Sequence, residues 1–130
     1  MQNKLAELLS KQARLQHELG YGISEMSSQE RVAYIKEYAQ HLDGETFEML
    51  RELPYFKSWK KYPDSEEAQN LMFAAARKEW IDALHFFLNI TIALGFNADE
   101  LFEMFCDKNG INYERQEDTE NYKPCVGGQQ

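Results

Sequence analysis

Residues 65 to 95, "SEEAQNLMFAAARKEWIDALHFFLNITIALG", form one helical run of about 30 residues, opened by Ser65 as a cap and stopped by Gly95. A helix of that length, apolar on almost every side, is predicted to be the central element of a small helical bundle. Its second half is unusual for a helix built for burial. Residues 78 to 95 keep Glu79, Asp82, His85 and Asn89 among the apolar side chains. Each needs a partner if it is removed from water.

The rest of the chain supplies further helices and no convincing strand, for a predicted total of five or six. Leu5, Leu8, Leu9, Leu15 and Leu19 lay one apolar stripe along residues 3 to 19, and "GYG" at 20 to 22 ends it. "SSQERVAYIKEYAQHL" opens with Ser28 as the expected N-cap and carries Val32, Ile35 and Tyr38 at helical spacing. "DG" at 43 and 44 is read as a turn into a short helix, "ETFEMLREL", that Pro54 stops. "PYFKSWKKYPDS", 54 to 65, is expected to be an ordered loop because its aromatics are too dense to be left in water. "NADELFEMFCDKNG" reads as a helix with Asn97 as cap, Glu100 as capping-box partner and Gly110 as stop. A short polar segment, "INYERQEDTENYK", then leads to "PCVGGQQ". The expectation is one all-α domain over residues 1–123 and a disordered tail at 124–130.

Composition excludes several classes of function. The chain has 130 residues, is 43% hydrophobic, and has a net charge of −8. That is enough apolar material for one core, and the charge repels nucleic acid and anionic membranes. A phosphate-bearing ligand would need cations to offset the field. Cys106 and Cys125 match no metal or disulfide spacing and are read as free thiols in a reducing compartment. The first residues lack the pattern of a signal peptide, and residues 80 to 95 are too short and too interrupted to cross a bilayer. A soluble, cytoplasmic protein is expected.

Glu79, Asp82, Phe86 and Asn89 fall on one face of the central helix, within about 80°. Along the axis, two carboxylates at one end lie about 15 Å from an amide at the other, with a ring between them. That is close to the length of an extended nucleoside triphosphate. A second acid pair, Glu45 and Glu48, shares a face at i, i+3 upstream. If the two pairs meet across antiparallel helices, four carboxylates gather at one level, an oxygen-only donor set of the kind Mg²⁺ or Mn²⁺ prefers. Asp82, between Ile81 and Ala83, is expected to be partly buried and to need a cation or a hydrogen-bond network. The alternative is a solvated acid surface, with Glu79 and Asp82 paired to Arg77 or Lys78, Glu48 to Arg51 and Glu52 to Lys57.

Glu45-x-x-Glu48 followed by "YFKSWKK", Glu79-x-x-Asp82 followed by "ALHFFLN", and "KNGINYERQ" at 108 to 116 together resemble the dimeric, all-α dUTPases of the MazG-like nucleotide pyrophosphatase superfamily. The likeness runs from about residue 5 to residue 123. It implies hydrolysis of dUTP to dUMP and pyrophosphate, with dUDP as a second substrate. It also implies Mg²⁺, with Mn²⁺ as a substitute, held by Glu45, Glu48, Glu79 and Asp82, and Glu45 or Glu48 as the base that takes a proton from water. Phe86 resembles the ring that stacks on uracil, Asn89 lies where its amide approaches base or sugar, and Gln12 in "LLSKQARLQ" matches a glutamine at the base edge. Gln16 stands where the family usually has asparagine. Trp59 matches a tryptophan near the nucleotide, or else covers the core, and Lys57 and Lys60 beside it are read as phosphate ligands. Lys108, Asn112, Arg115 and Gln116 match the segment that closes over the nucleotide.

Two look-alikes fail. "DKNGIN" places Gly110 at position 4 of an EF-hand loop and Asp118 at position 12, where the motif needs glycine at 6 and glutamate at 12. "KSWKK" is a short basic cluster in an acidic chain and is a poor nucleic-acid patch. His85 has no metal-ligand partner at i+4, where Asn89 stands, and is expected to be a satisfied core or interface histidine. The surplus apolar face of the central helix argues for a homodimer, as the resemblance also implies. Three functions compete: a dUTP diphosphatase, a related pyrophosphatase acting on dCTP or a modified nucleotide, and a non-catalytic dimeric bundle. A phage origin would put the activity in the host cytoplasm.

Overall fold

The computed structural model describes residues 3–53 and 57–118. Among them are four α-helices, one 3-10 turn and no strand: α1 (Lys4–Glu18), the turn Ile23–Glu25, α2 (Ser28–Glu52), α3 (Glu66–Ala93) and α4 (Ala98–Glu117). They divide into two compact units, Met1–Phe96 and Asn97–Gln130. The expected tail at 124–130 and Cys125 lie outside the described residues, whereas Cys106 is a free, exposed thiol.

The helix starts follow local chemistry. Ser65 Oγ accepts from Ala68 N, and Asn97 Oδ1 accepts from Glu100 N, as the sequence predicts. The N-cap of α2 is Ser27 and not Ser28. Only from Ser27 does a glutamate fall three residues on, so that Ser27 Oγ takes the Glu30 N–H and Glu30 Oε1 takes the Ser27 N–H. The stops also have a plain cause. Gly20 and Gly95 adopt φ of 91° and 90°, and each closes its helix with a paired set of backbone hydrogen bonds: Gly20 to His17 with Tyr21 to Gln16, and Gly95 to Ile92 with Phe96 to Thr91.

Two predicted breaks are absent, and the expected five or six helices are four among the described residues. α2 runs unbroken through Asp43 and Gly44, and α4 runs unbroken through Gly110 to Glu117, absorbing part of the expected polar segment. A glycine inside a helix costs about 1 kcal/mol. In α2 that cost is outweighed by packing along α3 over the helix length. α2 stops where the next residue is Pro54: Leu53 is extended, at φ −87° and ψ 141°, the conformation that a residue before proline prefers.

In the first unit α1 and α2 both pack on α3. The buried alanines of α3, Ala76, Ala83 and Ala93, let neighbouring backbone approach, and Leu9, Tyr34 and Leu88 fill the remainder. The same interior holds Gln12, Gln16, Asn89 and Thr91. A core this polar in a small unit is retained only if its groups are partnered. In the second unit, α4 buries Ala98 and carries Phe102, Met104, Phe105 and Tyr113 exposed. Among the described residues no single helix is long and apolar enough to cross a membrane.

Candidate active site

Glu45 and Glu48 on α2 and Glu79 on α3 each offer a carboxylate oxygen within 4.8 Å of the others. The first predicted acid pair and one member of the second, far apart in the chain, therefore meet in one molecule. Glu45 and Glu79 are half-buried and Glu48 is exposed. Asp82 lies outside this trio but close enough for its charge to act on both Glu45 and Glu79. It is exposed, against the expectation of partial burial, because the side of α3 that carries Asp82 and Ile81 is open to solvent. Among the described residues none of the four acids is ion-paired, so the predicted alternatives through Arg51, Arg77 and Lys78 are not formed.

Packing like charges without cations has an electrostatic consequence. Burial, then the neighbouring charge of Glu48, pushes the Glu45 carboxyl above the usual glutamate range, with Asp82 and Glu79 adding to the effect. Glu79 is raised in the same direction, by desolvation first and then by Glu48 and Asp82. Glu45 Oε2 is buried with no hydrogen-bond partner. An orphaned carboxylate oxygen within a cluster of hard oxygen donors is a configuration that a divalent cation satisfies, and Mg²⁺ or Mn²⁺ suits that donor set.

Beyond the acids, the contact between α2 and α3 becomes aromatic. His41, one turn before Glu45, faces Phe86 at 5.4 Å between ring centroids, and Tyr38 meets His41 at 5.3 Å and Phe86 at 5.8 Å. Phe86 thus stands between acids and amides, as predicted. His41 was missed by sequence reading, although its position four residues before Glu45 on a helix put it on the acid-bearing face.

Further along stands a hydrogen-bonded set of buried amides. Gln12 Nε2 donates to Asn89 Oδ1 at 2.7 Å, and His85 Nδ1 lies 2.7 Å from Gln12 Oε1. Gln16 Oε1 accepts from Tyr34 at 3.1 Å and from Tyr38 at 3.4 Å. Burial raises both tyrosine hydroxyls above their ordinary range, which keeps them neutral donors. His85 is satisfied, as expected, but it is exposed and not in the core. Gln16, Tyr34, Asn89 and Ile92 line a cleft of about 660 Å³ that also involves Ile23 and Met26.

A family model described as dUTPase matches residues 4–97, which include all four acids, Phe86 and the buried amides. The chain belongs to the dUTPase family. Its curated relatives include a dCTP pyrophosphatase of Enterobacteria phage T4, 29% identical over 103 residues, or 66% of this chain and 60% of the relative. A dCTP pyrophosphatase of Enterobacteria phage LZ5 is 34% identical over 68 residues, 48% of this chain and 40% of that protein. The chain thus spans less than two thirds of the length of these relatives. No solved structure gives a significant match.

Of the remaining predicted residues of this dUTPase-family chain, Lys57, Trp59 and Lys60 are not joined to the acids by any described contact. Lys57 and Lys60 close a turn through their backbone, and both are exposed. Trp59 is 79% exposed, so it does not cover the core. Pro54, Tyr55 and Phe56 of the expected ordered loop lie outside the described residues. Lys108, Asn112, Arg115 and Gln116 share one face of α4, in the second unit and beyond the matched segment.

Proposed function

We propose that this protein is a nucleoside triphosphate diphosphatase that hydrolyses dUTP to dUMP and pyrophosphate, with dUDP as a second substrate. The observation that carries this reading is the meeting of Glu45, Glu48 and Glu79 within 4.8 Å on α2 and α3, the same two helices whose Tyr34 and Asn89 line the cleft that holds Gln16. A dCTP-hydrolysing enzyme is the second reading, favoured by the names of both phage relatives.

Glu45, Glu48, Glu79 and Asp82 would hold Mg²⁺, or Mn²⁺ in its place. The chemistry such an ion supplies is neutralisation of phosphate charge and acidification of water. Glu45 or Glu48 takes the proton from the attacking water. Phe86 offers a stacking face, and Gln12, Gln16 and Asn89 supply polar contacts toward base and sugar. Lys57, Lys60, Lys108 and Arg115 are proposed phosphate ligands, with Trp59, Asn112 and Gln116 beside the nucleotide, on the family resemblance alone.

A homodimer is supported by α3, where Phe73, Trp80 and Phe87 recur at every seventh position and are all exposed, with Leu94 exposed at the C-cap. The net charge of −8 disfavours nucleic acid and membrane partners. The relatives come from phages, and a host cytoplasm is the proposed place of action.

Pyrophosphate release from dUTP, dCTP, dTTP and UTP, with and without Mg²⁺, tests the proposal. A dUTP preference of about a hundredfold or more fits a pocket that rejects the 5-methyl and 2′-hydroxyl groups. Comparable turnover of dCTP would select the second reading. Turnover of none of the four, with no rise in melting temperature on adding Mg²⁺, would leave a non-catalytic bundle.

A further inference from the structure

His85, Gln12 and Asn89 form a single hydrogen-bonded line from an exposed imidazole to a buried amide. An amide oxygen can only accept, so the 2.7 Å contact of His85 Nδ1 with Gln12 Oε1 places the imidazole proton on Nδ1. Gln12 is then held through its oxygen and through one of its two N–H groups, because its Nε2 donates to Asn89 Oδ1. Asn89 is only 2% exposed. With its oxygen engaged, its Nδ2 donates to no acceptor among the described residues, and Asn89 lines the 660 Å³ cleft. Gln16, 7% exposed, repeats the pattern: two tyrosine hydroxyls hold its oxygen, and its Nε2 is left for the same cleft.

This line has one other self-consistent polarity. With the proton on Nε2 of His85, Nδ1 becomes an acceptor, Gln12 turns its amide over to donate to it, and Asn89 turns in response. Asn89 then presents Oδ1 to the cleft where it now presents N–H. Any mixed arrangement sets two donors or two acceptors against each other in a buried place and is strongly disfavoured. Gln16 takes no part, since its partners are separate tyrosines. The sign of the hydrogen bond that Asn89 offers is therefore set at position 85.

We propose that His85 is a specificity-determining positioning residue which, acting through Gln12, fixes whether Asn89 offers a donor or an acceptor to the 4-position of a bound pyrimidine. This rests on the reading of the groove as a pyrimidine-nucleotide site. The orientation in the structure, with the N–H outward, matches the 4-oxo group of uracil, which accepts. The reversed orientation matches the 4-amino group of cytosine, which donates. The two bases differ in polarity and hardly at all in size, so a buried amide that can be turned is a device suited to separating them.

The test is the ratio of kcat/KM for dUTP to that for dCTP, measured with Mg²⁺ on the full chain and on three variants at the exposed position 85. His85→Lys can only donate and holds the present polarity; its ratio stays at or above the wild-type value. His85→Glu can only accept at neutral pH and reverses the line; its ratio falls by about tenfold or more. His85→Gln can do either and stays near wild type. Added charge alters attraction of the triphosphate equally for both substrates and cancels in the ratio, and a purely structural role would lower both rates together. Turnover of both nucleotides with a ratio that moves less than about twofold between the Lys and Glu variants, or that moves the opposite way, overturns the inference alone. Turnover of neither by the wild-type chain overturns it together with the functional reading.

Discussion

Arg31 donates to the carbonyl oxygen of Ala93 twice, through Nε at 3.1 Å and Nη2 at 2.6 Å. The first turn of α2 thereby caps the last turn of α3, where carbonyls lack intrahelical partners and a positive charge is favoured. Together with the His41–Phe86 contact and the Glu45–Glu48–Glu79 cluster, this fixes the antiparallel register that aligns the groove. Replacing Arg31 with Met is expected to cost about 1.5–3 kcal/mol, the scale of a hydrogen bond to a charged group. A urea denaturation midpoint equal to that of the wild type would disprove the anchoring role.

Acid dependence should run opposite to the usual pattern. Glu45 and Glu79 have raised pKa values in the folded chain, so the fold binds their protons more tightly than the unfolded chain does. Their ionisation therefore subtracts stability as pH rises from the unfolded value of about 4.3 through the higher folded values, and the penalty is complete above them. Without divalent cations, the contribution of these two carboxyls to the melting temperature is expected to rise as pH falls from neutral toward the unfolded glutamate value. The Glu45→Gln variant should show a shallower slope. Identical slopes would mean that the crowding of the acids has no energetic consequence.

Glu79→Gln removes one negative charge from the cluster. The variant should fold at least as stably as the wild type in EDTA, lose the rise in melting temperature that Mg²⁺ gives, and release no pyrophosphate from dUTP or dCTP. Near-normal turnover by this variant would remove Glu79 from the metal site.

Trp80 lies at the middle of the exposed heptad row of α3. Trp80→Glu should convert a dimer into a monomer, read as a halved mass by light scattering. A wild-type chain that is already monomeric would sink the dimer proposal.

How much was legible in the sequence varies with the physics involved. Caps and glycine stops are local, so Ser65, Asn97, Gly20 and Gly95 could be recognised from the letters alone. Gly44 and Gly110 looked like similar signals but do not stop their helices, since one glycine carries too small a penalty to break a long helix on its own. The meeting of Glu45 and Glu48 with Glu79 was predictable because i, i+3 spacing fixes a face. Asp82 was misjudged because burial depends on what covers a face, which neighbours in sequence do not reveal. The face of His41 could have been read from its spacing to Glu45, whereas the relay from His85 through Gln12 to Asn89 depends on contacts 73 to 77 residues apart, and no local pattern encodes it.

The uninterrupted passage of α2 through Gly44 makes the helix a phase-locked shaft between Arg31 and Glu48. Inserting or deleting one residue at Asp43–Gly44 would swing everything beyond it by about 100°, turning both glutamates away from α3. A true loop there would have absorbed the change. The chain can therefore vary in length before Ser27 or after Leu53 far more freely than at the dipeptide that most resembles a hinge.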